Sequence, residues 1–120
     1  MENSSGAELG AEGSREVEAP GLAGIVGRMR LVVAGTGVGV LEIDNGRAKL
    51  VPDRGAVDVT LNCATHEVLV RALRGQLNPV VAALRNEAGL QGNREYGVKI
   101  IYGLRDGSPF ANVPLDRKES

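Results

Sequence analysis

Apolar and polar residues alternate with a period of two through the first half of the chain, and the period lengthens to about 3.6 after Cys63. The run at 29–33 is strand-prone, 35–39 reads as a glycine-rich loop or wide turn, and 40–44 resumes strand character. Asn45-Gly46 follows, a pair suited to a type I′ hairpin because both central positions of that turn take positive φ. Ala48 and Leu50 then alternate with Arg47 and Lys49, and residues 52–55 make another turn. Val57, Val59 and Leu61 alternate with Asp58, Thr60 and Asn62, as in a strand with one wet face. Successive strands joined by short links predict an antiparallel meander.

Beyond Cys63 the pattern becomes helical. Thr65 is suited to cap a helix, with Glu67 near its positive end and Val68, Leu69, Ala72 and Leu73 forming one apolar stripe. Gly75 supplies the stop. Asn78-Pro79 reads as a cap followed by a first helical residue, leading into Val80, Val81 and Leu84. Residues 88–91 read as a short fifth strand. Residues 94–104 fit two patterns: Gly97, Ile100, Ile101 and Leu104 lie on one helix face, whereas Tyr96, Val98, Ile100 and Tyr102 lie on one strand face. Internal glycines and β-branched residues tilt propensity there slightly towards strand. Residues 1–24 show no apolar period and read as a flexible arm, and 106–120 as an irregular tail, leaving 25–105 as the domain.

Composition narrows the function. A chain of 120 residues suits one small domain, and its net charge of -1 provides no basic stripe for nucleic acid. Only two Tyr and one Phe are present, too few for base stacking. The core is therefore aliphatic, and without large rigid rings it has room for residual internal volume. A single cysteine precludes an intrachain disulfide and suits a cytoplasmic location; the first residues lack the features of a secretory signal, and no apolar run approaches a membrane span. These features direct attention to the apolar surface and to a greasy small-molecule ligand.

Candidate chemistry is sparse. Cys63 and His66 lie three apart, but zinc needs further ligands and a nucleophile needs a low-pKa thiol, so a packed cysteine and a surface histidine are favoured. The glycines at 35–39 lack the dinucleotide-binding spacing and precede a strand. Glu42, Asp44 and Asp58 fall on wet strand faces or at turns, Asp58 within reach of a surface ion pair with Arg54 or Arg30. The apolar residues Leu73, Leu77, Val81 and Leu84 fit a packed core as well as the wall of a tunnel.

The hairpin at Asn45-Gly46, the segment 56–61, the run Gly75-Gln76-Leu77-Asn78-Pro79 and the turn Gly92-Asn93, taken in order and spacing, resemble the sterol carrier protein type 2 family over about residues 25–104. The resemblance implies an α/β (α+β) fold: a mainly antiparallel five-stranded sheet with helices on one face and an apolar tunnel. It also implies a helix after Gly92, settling the ambiguous segment. Three departures stand out: residues 1–24 lack the family's opening amphipathic helix, Gly39 replaces an aromatic, and Asn86 replaces a glycine. The first leaves the cavity either open on one side or covered by a second copy, as a homodimer.

The function this implies is noncovalent binding or transfer of a sterol, fatty acyl chain or similar apolar molecule, without cofactor, metal, nucleic-acid partner or membrane span. The expected ligand-binding residues are Leu73, Leu77, Val81, Leu84, Leu90, Tyr96, Ile100, Ile101 and Leu104. Two alternatives stay open: an enzyme that confines an apolar substrate for cyclisation or isomerisation, with Tyr96, Tyr102, His66 and Glu95 as polar groups, and a dimerisation or interaction module.

Overall fold

The computed structural model describes residues 16–108 and 110. Among these residues a six-stranded sheet carries three helices on one face. In chain order the elements are β1 (Val17–Glu18), a 3-10 turn (Pro20–Leu22), β2 (Val26–Val33), β3 (Thr36–Asp44), β4 (Arg47–Val51), β5 (Val59–Cys63), α1 (His66–Leu73), α2 (Pro79–Leu84), β6 (Ala88–Gly92) and α3 (Arg94–Asp106). The spatial order of the strands is β1-β4-β3-β2-β5-β6.

The α/β class and the mainly antiparallel sheet are the expected ones, but the sheet has six strands among the described residues rather than five, and one pair, β2 with β5, is parallel. The meander ends after β4. The chain then crosses back over β3 and β2, so β5 runs parallel to β2, with Leu31 opposite Leu61. The sequence hides this crossing because its supports lie far away in the chain. Arg28 and Arg30 stand on the wet phase of β2 and hold the link. Arg28 Nη1 and Nη2 donate to the carbonyls of Ala56 and Arg54 at 2.6 and 2.9 Å, and Arg30 donates to the Gly55 carbonyl at 3.1 Å. Arg30 Nε also pairs with Asp53 at 2.8 Å, while the Asp58 carboxylate accepts from the backbone N–H of Arg28 at 2.9 Å. Asp58 thus pins the crossing instead of pairing with Arg30 or Arg54. The link covers the outer face of the sheet, where Val40, opposite Arg30, is fully buried.

Two strand boundaries differ from expectation. The turn after β2 is only Ala34-Gly35, both at positive φ, and residues 36–39 belong to β3. Val38 is the extra residue where the β2–β3 register shifts, so the glycines flanking it accommodate a bulge rather than a wide loop. At the other end, β5 begins at Val59, because residues 57 and 58 complete the crossing.

The type I′ reading of Asn45-Gly46 agrees with φ values of 48° and 88°. Thr65 caps α1 by accepting from the Val68 N–H at 3.2 Å, Asn78 caps α2, and Asn93 caps α3 by accepting from the Tyr96 N–H at 3.1 Å. Residues 94–104 are helical despite their strand leaning. The cap satisfies the first turn, and Gly97, Ile100, Ile101 and Leu104 gain a buried stripe against the sheet. Local propensity yields to that tertiary burial.

The core is packed between the sheet and α1 and α3. Met29, Leu31, Leu41, Leu61, Leu69, Leu73, Ile100 and Leu104 are all but inaccessible to solvent. Most of the expected arm at 1–24 lies outside the described residues, as does most of the tail at 106–120. Within the described part, β1 pairs with β4, and Ala19 and Leu22 are fully buried; Phe110 is buried too. Packing therefore extends beyond residues 25–105 at both ends.

Candidate functional site

Of the three helices, α2 contributes least to the core. Only Ala82 is buried, whereas Val80 and Leu84 are 60% and 79% exposed. The helix exists because Pro79 presets its first φ and the Asn78 side-chain oxygen accepts from the N–H groups of Val80 and Val81 at 3.0 and 3.2 Å. It stands beside β6, and α3 faces it across a groove of about 620 Å³.

The groove takes its floor from Leu61, Ala88 and Leu90, one wall from Leu77, Val80, Ala83 and Leu84, and the other from Val98, Ile101 and Tyr102. Pro79, Asn86, Gly89 and Arg94 complete the lining among the described residues, of which Arg94 alone is charged. Asn86 holds φ at +56°, a left-handed conformation that asparagine tolerates and glycine adopts freely, so the turn from α2 into β6 survives the exchange.

Four of the nine expected site residues line this groove: Leu77, Leu84, Leu90 and Ile101. The other five, Leu73, Val81, Tyr96, Ile100 and Leu104, do not. Leu73, Ile100 and Leu104 are fully or almost fully buried and pack the core instead. Val81 is exposed on α2, away from the lining. Tyr96, in the first turn of α3, points away from the groove, its hydroxyl lying against Gly27 and close to Asp58. Desolvation, and secondarily the Asp58 carboxylate, raise the Tyr96 pKa.

The residues overlooked were legible in helical periodicity. Val80, Ala83 and Leu84 recur at i, i+3 and i+4, and Arg94, Val98, Ile101 and Tyr102 at i, i+4, i+7 and i+8. Each helix has two apolar edges, one facing the core and one facing the groove, and a single-stripe reading merges them. Leu61, Ala88 and Gly89 carried no separable signal, since a strand residue under a groove looks like one under a packed helix.

The alternative chemistries do not assemble. Cys63 is buried, and burial pushes its thiol up to about 12, the reverse of an activated nucleophile. Glu42 is engaged by Arg28 at 3.1 Å and by Lys49 at 3.9 Å, while Asp58 pins the crossing link. His66 opens α1, and Glu95 is not among the groove residues. Among the described residues no group of three His, Cys, Asp or Glu side chains is placed to hold a metal ion, and no helix is long and apolar enough to cross a membrane.

No family model matches the sequence, and neither does any curated protein. Solved structures do match. The UbiJ-SCP2 ubiquinone synthesis protein aligns with a TM-score of 0.54 at 21% identity, covering 72% of each chain. Sterol carrier protein domain 2 of Helicoverpa armigera aligns with a TM-score of 0.50 at 25% identity, covering 68% of each. A crystal structure of sterol carrier protein 2 aligns with a TM-score of 0.53 at 17% identity, covering 80% of this chain and 82% of that one. With its mixed sheet, its helices on one face and the turns at Asn45-Gly46 and Gly92-Asn93, the chain has the fold of the sterol carrier protein domains.

Proposed function

We propose that the groove between α2, β6 and α3 binds an apolar small molecule noncovalently, a sterol, a fatty acyl chain or a lipid-like compound, and that the protein carries it. The observation that supports this most directly is an open space of about 620 Å³ walled by aliphatic side chains and Tyr102, in a fold shared with sterol carrier domains. That volume falls within the usual range for small-molecule sites. The driving force is the removal of apolar ligand surface from water, about 25 cal/mol per Å². Exposed Leu84 and Val80 gain most, because both change from wet to covered when a ligand lies across them. Arg94 and the Tyr102 hydroxyl, standing at the wall, orient the polar end of such a molecule.

Native mass spectrometry of freshly purified full-length protein tests the reading. The expected spectrum contains a protein-plus-lipid mass that disappears on organic extraction, and the stripped protein then takes up a fluorescent apolar probe with 1:1 stoichiometry. Stripped protein that takes up neither the probe nor fatty acids or sterols offered in turn removes the proposal.

A further inference from the structure

The rim of the groove combines bare apolar side chains with unpaired cations. Leu84 and Val80 project from α2, and Tyr102, 45% exposed, projects from α3. Arg85 lies between the groove residues Leu84 and Asn86. Lys99 follows Val98 and lies three residues before Tyr102, hence on a neighbouring part of the same helix surface. Arg85, Arg94 and Lys99 are exposed, and none has an ion pair or side-chain hydrogen bond among the described residues. Arg105 stands next to them but is engaged, its Nη1 donating to the Leu77 carbonyl at 3.3 Å and its guanidinium 5.9 Å from the centre of the Tyr102 ring. Among the described residues, the carboxylates of this region are Glu87, already held by Arg71 at 3.2 Å, and Glu95 and Asp106 on α3. Elsewhere in the fold Arg28 and Arg30 are engaged by the crossing link, Arg47 by Glu16 and Arg71 by Glu87, while Arg54 is exposed on the link itself. Three free cations, Arg85, Arg94 and Lys99, thus stand beside Val80, Leu84 and Tyr102, which are among the largest exposed apolar side chains of the described residues.

We propose that this face docks on the surface of an anionic phospholipid bilayer, with Val80, Leu84 and Tyr102 entering the headgroup layer and Arg85, Arg94 and Lys99 meeting lipid phosphates. The layered chemistry fits that occupant: apolar tips seek the acyl boundary while cations a few ångströms away seek the charged plane. A folded protein partner would have to match the curved ridge of α2 in shape, whereas a fluid lipid surface adapts to it. Docking does not depend on whether the groove accepts a ligand, since the tips and the cations act on the bilayer directly.

Cosedimentation of the full chain with vesicles of phosphatidylcholine, alone or mixed with phosphatidylglycerol, decides it. Binding is expected to the mixed vesicles and to be weak on phosphatidylcholine alone. Each cation reversed or removed lowers the affinity about fivefold, so Arg85→Glu with Lys99→Glu gives a loss of about twenty-five-fold or more, with uptake of an apolar probe in solution unchanged. Leu84→Asp, at a position 79% exposed, weakens vesicle binding while the circular dichroism spectrum is kept. Equal sedimentation with both vesicle types, or an Arg85→Glu/Lys99→Glu variant that sediments like the parent, overturns the proposal. So does a change of oligomeric state in that variant without a change in vesicle binding, since the face would then serve a second copy. Failure here with probe uptake intact leaves the groove reading standing, and loss of uptake with vesicle binding intact does the opposite.

Discussion

Gly103 lacks a side chain because α3 and the 3-10 turn approach each other there. A Cβ on Gly103 would stand 2.5 Å from the Gly21 carbonyl oxygen and 2.6 Å from Leu22 Cδ2. Backbone on one side and a fully buried leucine on the other leave little to yield. Gly103→Ala is therefore expected to lower stability by about 1–2 kcal/mol in urea titration, overpacking outweighing the better helix propensity of alanine. Gly107→Ala is the control, for its Cβ meets nothing within 4 Å and its φ of 171° is ordinary extended backbone. Cys63 makes a second residue-scale case. Its folded thiol is raised from 9.0 to about 12 by burial, so the unfolded chain loses the proton first. Stability is unaffected below pH 9 and falls as pH rises through the window from 9 to about 12, because unfolding there releases a proton. Cys63→Ala is expected to flatten the alkaline limb of the stability curve. Thiol labelling at pH 8 is expected to be slow in the native protein and fast in denaturant.

At the scale of elements, legibility in the sequence followed the locality of the cause. The hairpin at Asn45-Gly46, the cap at Asn78 and the stop at Gly75 are written in adjacent residues, and they stand where expected. The crossing between β4 and β5 is not, because its cause is Arg28 reaching residues 26 and 28 positions ahead. A meander and a crossing have the same period along the chain, so no pattern distinguishes them. The same locality separates two variants. Arg28→Leu removes donors to two carbonyls and to Glu42, so it is expected to destabilise the whole domain by about 1–3 kcal/mol, measured by urea denaturation. Asn78→Ala removes the cap of a six-residue helix that buries only Ala82. Its expected cost is about 1 kcal/mol, felt first as fraying of α2 and seen as faster amide exchange at Val80 and Val81. Because α2 forms a wall of the groove, probe affinity is expected to fall in that variant as well.

Across the whole molecule, the aliphatic side chains divide between a buried core and a groove at its edge. Ile100 and Leu104 are fully or nearly fully buried between the sheet and α1 and α3, and the groove beside α2 borders that core, sharing Leu61, Leu77 and Ile101 with it. Three of the expected site residues, Leu73, Ile100 and Leu104, missed the groove for this reason: the sequence marks residues as apolar without marking which of two apolar surfaces they serve. The division makes stability and capacity separable. Ile100→Ala, deep in the core, is expected to cost about 2–5 kcal/mol while the groove lining stays unaltered. Ala83→Phe puts a ring on the exposed wall of the groove, where nothing packed has to move, and Ala88→Phe raises the floor. The ring variants are expected to lower probe affinity at least tenfold, with Ala83→Phe keeping its urea midpoint within the experimental spread. An Ala83→Phe protein that binds the probe as well as the parent would mean that the ligand lies elsewhere, because a ring at that point and a guest of hydrocarbon width compete for the same space.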